Sequence, residues 1–190
     1  MGFFEKERIA MQWKVAAVAA ALVAMPAMAD WDEGVDGDLS DEELNPTMLD
    51  FGIGDNFVSG VIGGDDFNDA FWFNIAAGEE LAAIYVVSYV VSGGNTSTGF
   101  NMAIGNSWDG DFNNPAVIGS IAMGTSYVGT NLLDDPLYTG DNPLGAGDYT
   151  VGLREGTAGQ TYSFNFVVTP APGSAALLGL GALVGMRRRR

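Results

Sequence analysis

Two short acidic runs carry residue types and spacings that could do chemistry. Asp65, Asp66 and Asp69 crowd a turn that leads into the aromatic stretch Ala70-Phe-Trp-Phe-Asn-Ile75. In Asp109-Gly-Asp-Phe-Asn-Asn114 the residues Asp109, Asp111 and Asn113 alternate, as in the opening of a calcium loop. Neighbouring carboxylates repel one another unless a cation lies between them, and calcium takes several oxygen ligands at once. Both runs are therefore candidate calcium sites. The second is not an EF-hand, because it lacks Gly at the sixth loop position and Glu at the twelfth. Trp108 precedes this loop directly and is expected to be exposed there. With Trp72 it forms a pair of candidate platforms for the face of a sugar ring.

Other chemistries have little to stand on. The chain has no Cys and no His, which removes thiolate nucleophiles, imidazole bases and the usual zinc ligands. No Lys follows Lys14, so a Ser–Lys pair is absent from the rest of the chain. Carboxylate pairs remain, but a glycosidase needs them about 5 to 10 Å apart, which spacing along a chain does not show. The expectation is a non-catalytic protein; an oxygen-only site suits calcium or magnesium, and calcium is the cofactor expected if there is one.

Charge narrows the partners. Between residues 30 and 169 there are 22 acidic residues against the single cation Arg154, a net charge of −21. Such a surface repels phosphate backbones and excludes nucleic acid as a partner. Cations, neutral polymers and basic surfaces are compatible with it.

The elements that must position these residues lie between two unusual ends. Lys14 precedes the apolar run from Val15 to Met25, followed by Pro26 and the small-x-small sequence Ala27-Met-Ala29. This is the pattern of a signal peptide cleaved after Ala29. The run is shorter than the ~20 residues a membrane span needs. Met11 would give a more compact start than Met1, since Glu5 and Glu7 are unusual in a signal's basic region. At the other end Pro170-Ala-Pro172 is followed by an apolar stretch to Met186 and then four Arg. The Arg cluster should remain cytoplasmic, leaving the domain outside.

The Pro170, Ala171, Pro172 motif, the apolar stretch and the basic stop occur in that order over the last 21 residues. This tail resembles the PEP-CTERM sorting signal of Gram-negative bacteria, with Ala171 where Glu is usual. The resemblance implies transient inner-membrane insertion, processing by an exosortase-type enzyme, and delivery to the cell surface or its surroundings.

The middle reads as all-β. Period-2 or continuous apolar runs occur at 57–62, 70–75, 81–91, 99–104, 116–122, 148–153 and 161–168. In the last, Tyr162, Phe164 and Phe166 share one face and Thr161, Ser163 and Asn165 the other. Gly- and Asp-rich turns separate the runs. About seven such strands predict an antiparallel, jelly-roll-like β-sandwich over 46–169, preceded by a flexible acidic lead-in over 30–45.

Within it, Gly54-Asp-Asn-Phe-Val-Ser-Gly60, Asp65-Asp-Phe-Asn-Asp-Ala-Phe-Trp-Phe73 and the Ala76-Ala-Gly78 turn are similar to the bacterial pre-peptidase C-terminal domain family. That resemblance spans residues 36 to 104 and implies a β-sandwich with a binding role. Together these readings lead to a non-catalytic, exported surface protein of the extracellular polysaccharide or biofilm matrix. The alternative is a calcium-dependent carbohydrate-binding module.

Overall fold

The structure is a computed structural model describing residues 30–64, 66–92, 97–154 and 159–173. The expected signal segment with Ala27 and Ala29, the apolar tail beyond Gly173, and Asp65 lie outside these residues.

All seven expected strands are present, as β3 (Gly54–Ile62), β4 (Asn68–Ile75), β5 (Glu79–Ser92), β6 (Ser97–Ile104), β7 (Val117–Gly124), β8 (Gly147–Arg154) and β9 (Gly159–Pro170). They form two facing sheets. One has the order β1-β3-β9-β5 and the other β2-β4-β8-β6-β7, where β1 (Asp30–Asp32) and β2 (Thr47–Leu49) are short outer strands. The seven long strands pair antiparallel, while β1 on β3 and β2 on β4 are parallel. Chain from β3 to β6 alternates between the sheets, so every connection there crosses the edge of the sandwich.

The lead-in expectation is corrected. Residues 30–45 belong to the sandwich: β1 extends one sheet and passes into a one-turn helix α1 (Glu33–Asp36), Leu39 is buried, and Ser40 bridges to Ala70 on β4. The Asp32 carboxylate caps α1 by accepting from the Gly34 N–H at 2.9 Å. Composition misled here because the acids dominate the segment. A single Leu and a three-residue strand are enough to dock it.

The core follows from strand alternation. On β9 the inward residues Gln160, Tyr162, Phe164, Phe166 and Val168 are buried, and the residues between them are not. Phe166 packs edge-on against Phe71 and Phe73 of β4, with ring centroids 5.8 and 5.4 Å away, and Phe164 meets Phe100 of β6 at 5.4 Å. Aromatic contacts of this kind add to the transfer free energy of burying the rings.

Two features of the Gly54–Gly60 stretch explain its composition. Asn56 is fully buried and holds the turn before β3: its Oδ1 accepts from the Gly52 N–H at 2.9 Å, and its Nδ2 donates to the carbonyls of Gly52, Gly54 and Phe166 at 2.9, 3.2 and 3.1 Å. Gly54 has φ of +117°, a conformation that side chains resist. Asn56→Ala would strand several buried backbone groups. It should cost about 2–4 kcal/mol of unfolding free energy by denaturant titration, without altering any response to calcium.

Candidate acidic metal site

The acids gather where the sheets open beside α1. Asp69 lies on β4 in phase with Phe71, Phe73 and Ile75, and so points inward as a core residue would. Its side chain is fully buried. Neither of its carboxylate oxygens has a hydrogen-bond partner among the described residues. A buried, unpaired carboxylate is among the costliest groups a protein can hold. Across the interior stands Tyr162 of β9, whose hydroxyl donates to Glu33 Oε1 at 3.2 Å. It lies near enough to Asp69 to favour its charged form slightly, without forming a hydrogen bond to it.

Glu33 reaches this point from α1. Beyond the three-residue β1 pairing, the Val61 N–H on β3 has no strand partner on that side and donates to Glu33 Oε2 at 2.7 Å. The carboxylate rests directly on Gly60, where an added Cβ would collide with it. The glycine that ends the Gly-x-Asn-x-x-x-Gly stretch thus makes room for an acid that lies 27 positions earlier in the chain.

Three further acids complete the group. Glu33, Asp38 and Asp69 each bring a carboxylate oxygen within 4.8 Å of the others, and Asp38, Asp41 and Asp66 do the same. Asp38 belongs to both sets. Two ligands on opposite sides of one calcium ion stand about 4.6–5.2 Å apart, given bonds of 2.3–2.6 Å. The spacing therefore suits calcium ligation, and an all-oxygen donor set favours calcium over softer metals. The one cation of the domain is not here: Arg154 pairs with Glu43 at 2.6 Å.

The electrostatics record the crowding. Burial, followed by the charge of Glu33, pushes the Asp69 carboxyl up to about 8. Burial and then the charges of Asp38 and Asp41 push Asp66 up to about 6. Glu33 is raised by burial, with opposition from the Val61 and Tyr162 hydrogen bonds. Burial, then the Asp69 and Glu33 charges, raise the Tyr162 hydroxyl well above its ordinary value.

Of the residues expected from sequence, Asp66 and Asp69 are brought together. Glu33, Asp38 and Asp41 were missed because they lie in the segment read as a lead-in. The one available signal was the dense acid spacing of Asp36-Gly-Asp-Leu-Ser-Asp41. The second run behaves differently. Asp109 accepts from the Asp111 N–H at 3.0 Å and from Asn114 Nδ2 at 3.1 Å, while Asp111 Oδ1 accepts from the N–H and Nδ2 of Asn113 at 2.9 and 3.0 Å. These are turn-forming bonds of Asx type. The Asp111 N–H, foremost, holds the Asp109 carboxyl below its ordinary value. Among the described residues, Asp109 and Asp111 converge with no third acid.

Trp108 is corrected as well. It is 3% exposed. The indole covers Gly152 on the outer face of β8, its Nε1–H donates to the Asp111 carbonyl at 3.2 Å, and the Arg154 guanidinium lies 5.0 Å from its ring centre. A glycine on the sheet leaves a hollow that the ring fills, which a loop position in sequence does not reveal. Trp72 is half-buried on the outer face of β4, opposite exposed Met48.

Compared with known families and curated proteins, the chain matches no family model and no curated sequence.

The raised carboxyls give stability a direction with pH. Asp69 binds its proton up to about pH 8 in the folded chain but only to about 3.8 when unfolded. The folded state therefore holds the extra proton between these values. That contribution is full below the lower value and is lost as pH rises through the upper one. In chelator, the melting temperature should fall between pH 5 and pH 8, as measured by circular dichroism. Asp69→Asn should flatten the fall and raise the melting temperature at pH 8.

Proposed function

We propose that this jelly-roll-like sandwich is an exported, non-catalytic cell-surface protein of the extracellular polysaccharide matrix, and that calcium ties its acidic end together. The observation that carries the calcium part is Asp69, whose buried carboxylate oxygens find no hydrogen-bond partner within 3.5 Å among the described residues and stand among Glu33, Asp38, Asp41 and Asp66. A cation there would compensate the charges that otherwise repel. It would also link α1 and the following loop to β4, so that the first residues of the domain and its core share one anchor. Glu33, Asp38 and Asp69 would take one ion, and Asp38, Asp41 and Asp66 a second.

Export and surface delivery are supported by the two ends. The sequence before Asp30 carries the signal-peptide pattern, and cleavage after Ala29 would leave Asp30 as the first residue. The last strand ends at Pro170, where the sorting motif starts, and the Ala171 N–H donates to the Gly78 carbonyl at 2.8 Å. Processing at Pro170, Ala171 and Pro172 by an exosortase-type enzyme would leave the sandwich whole. The absence of His, Cys and mature Lys supports the non-catalytic reading.

Calcium at about a hundred times its dissociation constant should stabilise the native state by about 2.7 kcal/mol. For a domain of this size that is a rise of roughly 5–10 °C in melting temperature over the chelated protein. Asp69→Asn should cut the rise to what the second ion contributes. An unchanged melting curve in the parent would remove calcium from the proposal. Export has its own check: N-terminal sequencing of protein recovered outside the cell should begin at Asp30.

A further inference from the structure

The connection from β7 to β8 is not a simple turn. Over residues 125–146 it leaves the sandwich, runs beside the outer edge of β5 and returns. Its course is fixed by backbone bonds to that edge. The Gly129 N–H donates to the Val86 carbonyl at 2.8 Å, and Leu81 and Leu144 exchange both of their bonds at 2.8 and 3.0 Å. Its own Leu132, Leu133 and Leu144 are buried. Asn131 stitches it further, its Oδ1 accepting from the Ile84 N–H at 2.9 Å and the Leu133 N–H at 3.2 Å. An excursion held in this way is a frame for a site, not slack in the chain.

The excursion borders a depression of about 490 Å³ that is wide open to solvent. This lies within the ~300–1,000 Å³ usual for small-ligand pockets. Ser126, Tyr127, Thr130, Asn131, Asp134 and Asp135 line it. The polar groups are already oriented. Tyr127 Oη donates to Asp135 Oδ2 at 2.9 Å, and the Leu137 N–H occupies Asp135 Oδ1 at 2.8 Å. Asn131 Nδ2 donates to Asp134 Oδ2 at 3.0 Å, while Asn142 Nδ2 reaches Asp134 Oδ1 at 2.8 Å. Each carboxylate oxygen has capacity for a second donor.

We infer that this cavity is a saccharide-binding site for a hydroxyl-rich, non-anionic sugar chain. Three properties point to that class. The lining is rich in fixed acceptors, which suits the donors of a polyol. It contains no cation, and the domain's net charge of −21 repels phosphate, sulfate and uronate. Tyr127, half-buried against the core, is the one aromatic residue of the lining and stands beside the acceptors; an aromatic ring next to polar groups is the pairing that sugar rings need. The site is separate from the acid cluster, since β5 and β7 form the edges of the sheets opposite β1 and β2. It rests on the proposed matrix role for its relevance, but its binding requires no calcium.

The test is a titration of the purified secreted protein, in calcium and again in chelator, followed by backbone amide shifts. The probes are neutral glucose and galactose oligomers, glucosamine oligomers and a uronate oligomer. Neutral or amine-bearing oligomers should move the amides of residues 126–135 in both conditions. Tyr127→Ala should weaken binding about tenfold. Ser126→Trp, at an exposed position, should fill the cavity and abolish binding with the fold intact. No shift with any oligomer, equal binding of the uronate, or binding that survives Ser126→Trp would overturn the inference. Sugar binding lost only in chelator would overturn its independence from the acid cluster. Failure of the calcium melting test alone would leave this site standing.

Discussion

Strand β9 is the member on which both sheets depend. It lies between β3 and β5 in its own sheet, and its inward row of aromatic rings makes the contacts that hold the other sheet in place. The same row also ends at the acids. After Phe166 and Phe164 comes Tyr162, whose ring still packs in the core while its hydroxyl meets Glu33. The hydrophobic interior therefore passes into the acidic site within one strand. Any change in how β9 sits would be felt at both.

This continuity explains why Asp69 is buried at all. Its place on β4 is set by the phase of Phe71 and Phe73, which must face inward to meet Phe166. A residue two positions before Phe71 must then face inward too, whatever its charge. The burial of the rings stabilises the strand in this phase, and the carboxylate is carried along. Glu33, resting on Gly60, closes the site from the other sheet.

The sole cation of the domain is used elsewhere. Arg154 is held by Glu43 and lies over the rings of Trp108 and Phe112, at 5.0 and 5.3 Å. That assembly fastens two loops to the outer face of the five-stranded sheet, a contribution of cation–π and ion-pair contacts acting together. With Arg154 so engaged, the acid cluster has no protein cation beside it among the described residues. The opposite edge, where the excursion beside β5 carries its own pair of acids, is satisfied differently, by amide and hydroxyl donors from nearby in the chain.

Much of this architecture was legible in the amino-acid order. Alternation along 161–168 identified the inward face of β9, and the runs before it located six more strands, because a pleated strand with one buried face must repeat every two residues. The clustering of Asp66 and Asp69 before an aromatic strand was visible for the same reason. What tertiary structure alone decided is which distant groups share a point in space. Residues 30–45 look like a solvated acidic segment, yet their pairing on β3 carries Glu33, Asp38 and Asp41 to Asp66 and Asp69. Trp108 looks like an exposed loop residue, yet Gly152, far along the chain, leaves the hollow that buries it. Local periodicity depends on neighbours a few residues apart, whereas a ligand set or a buried loop ring depends on sheet packing, which joins residues whose separation in sequence carries no signal.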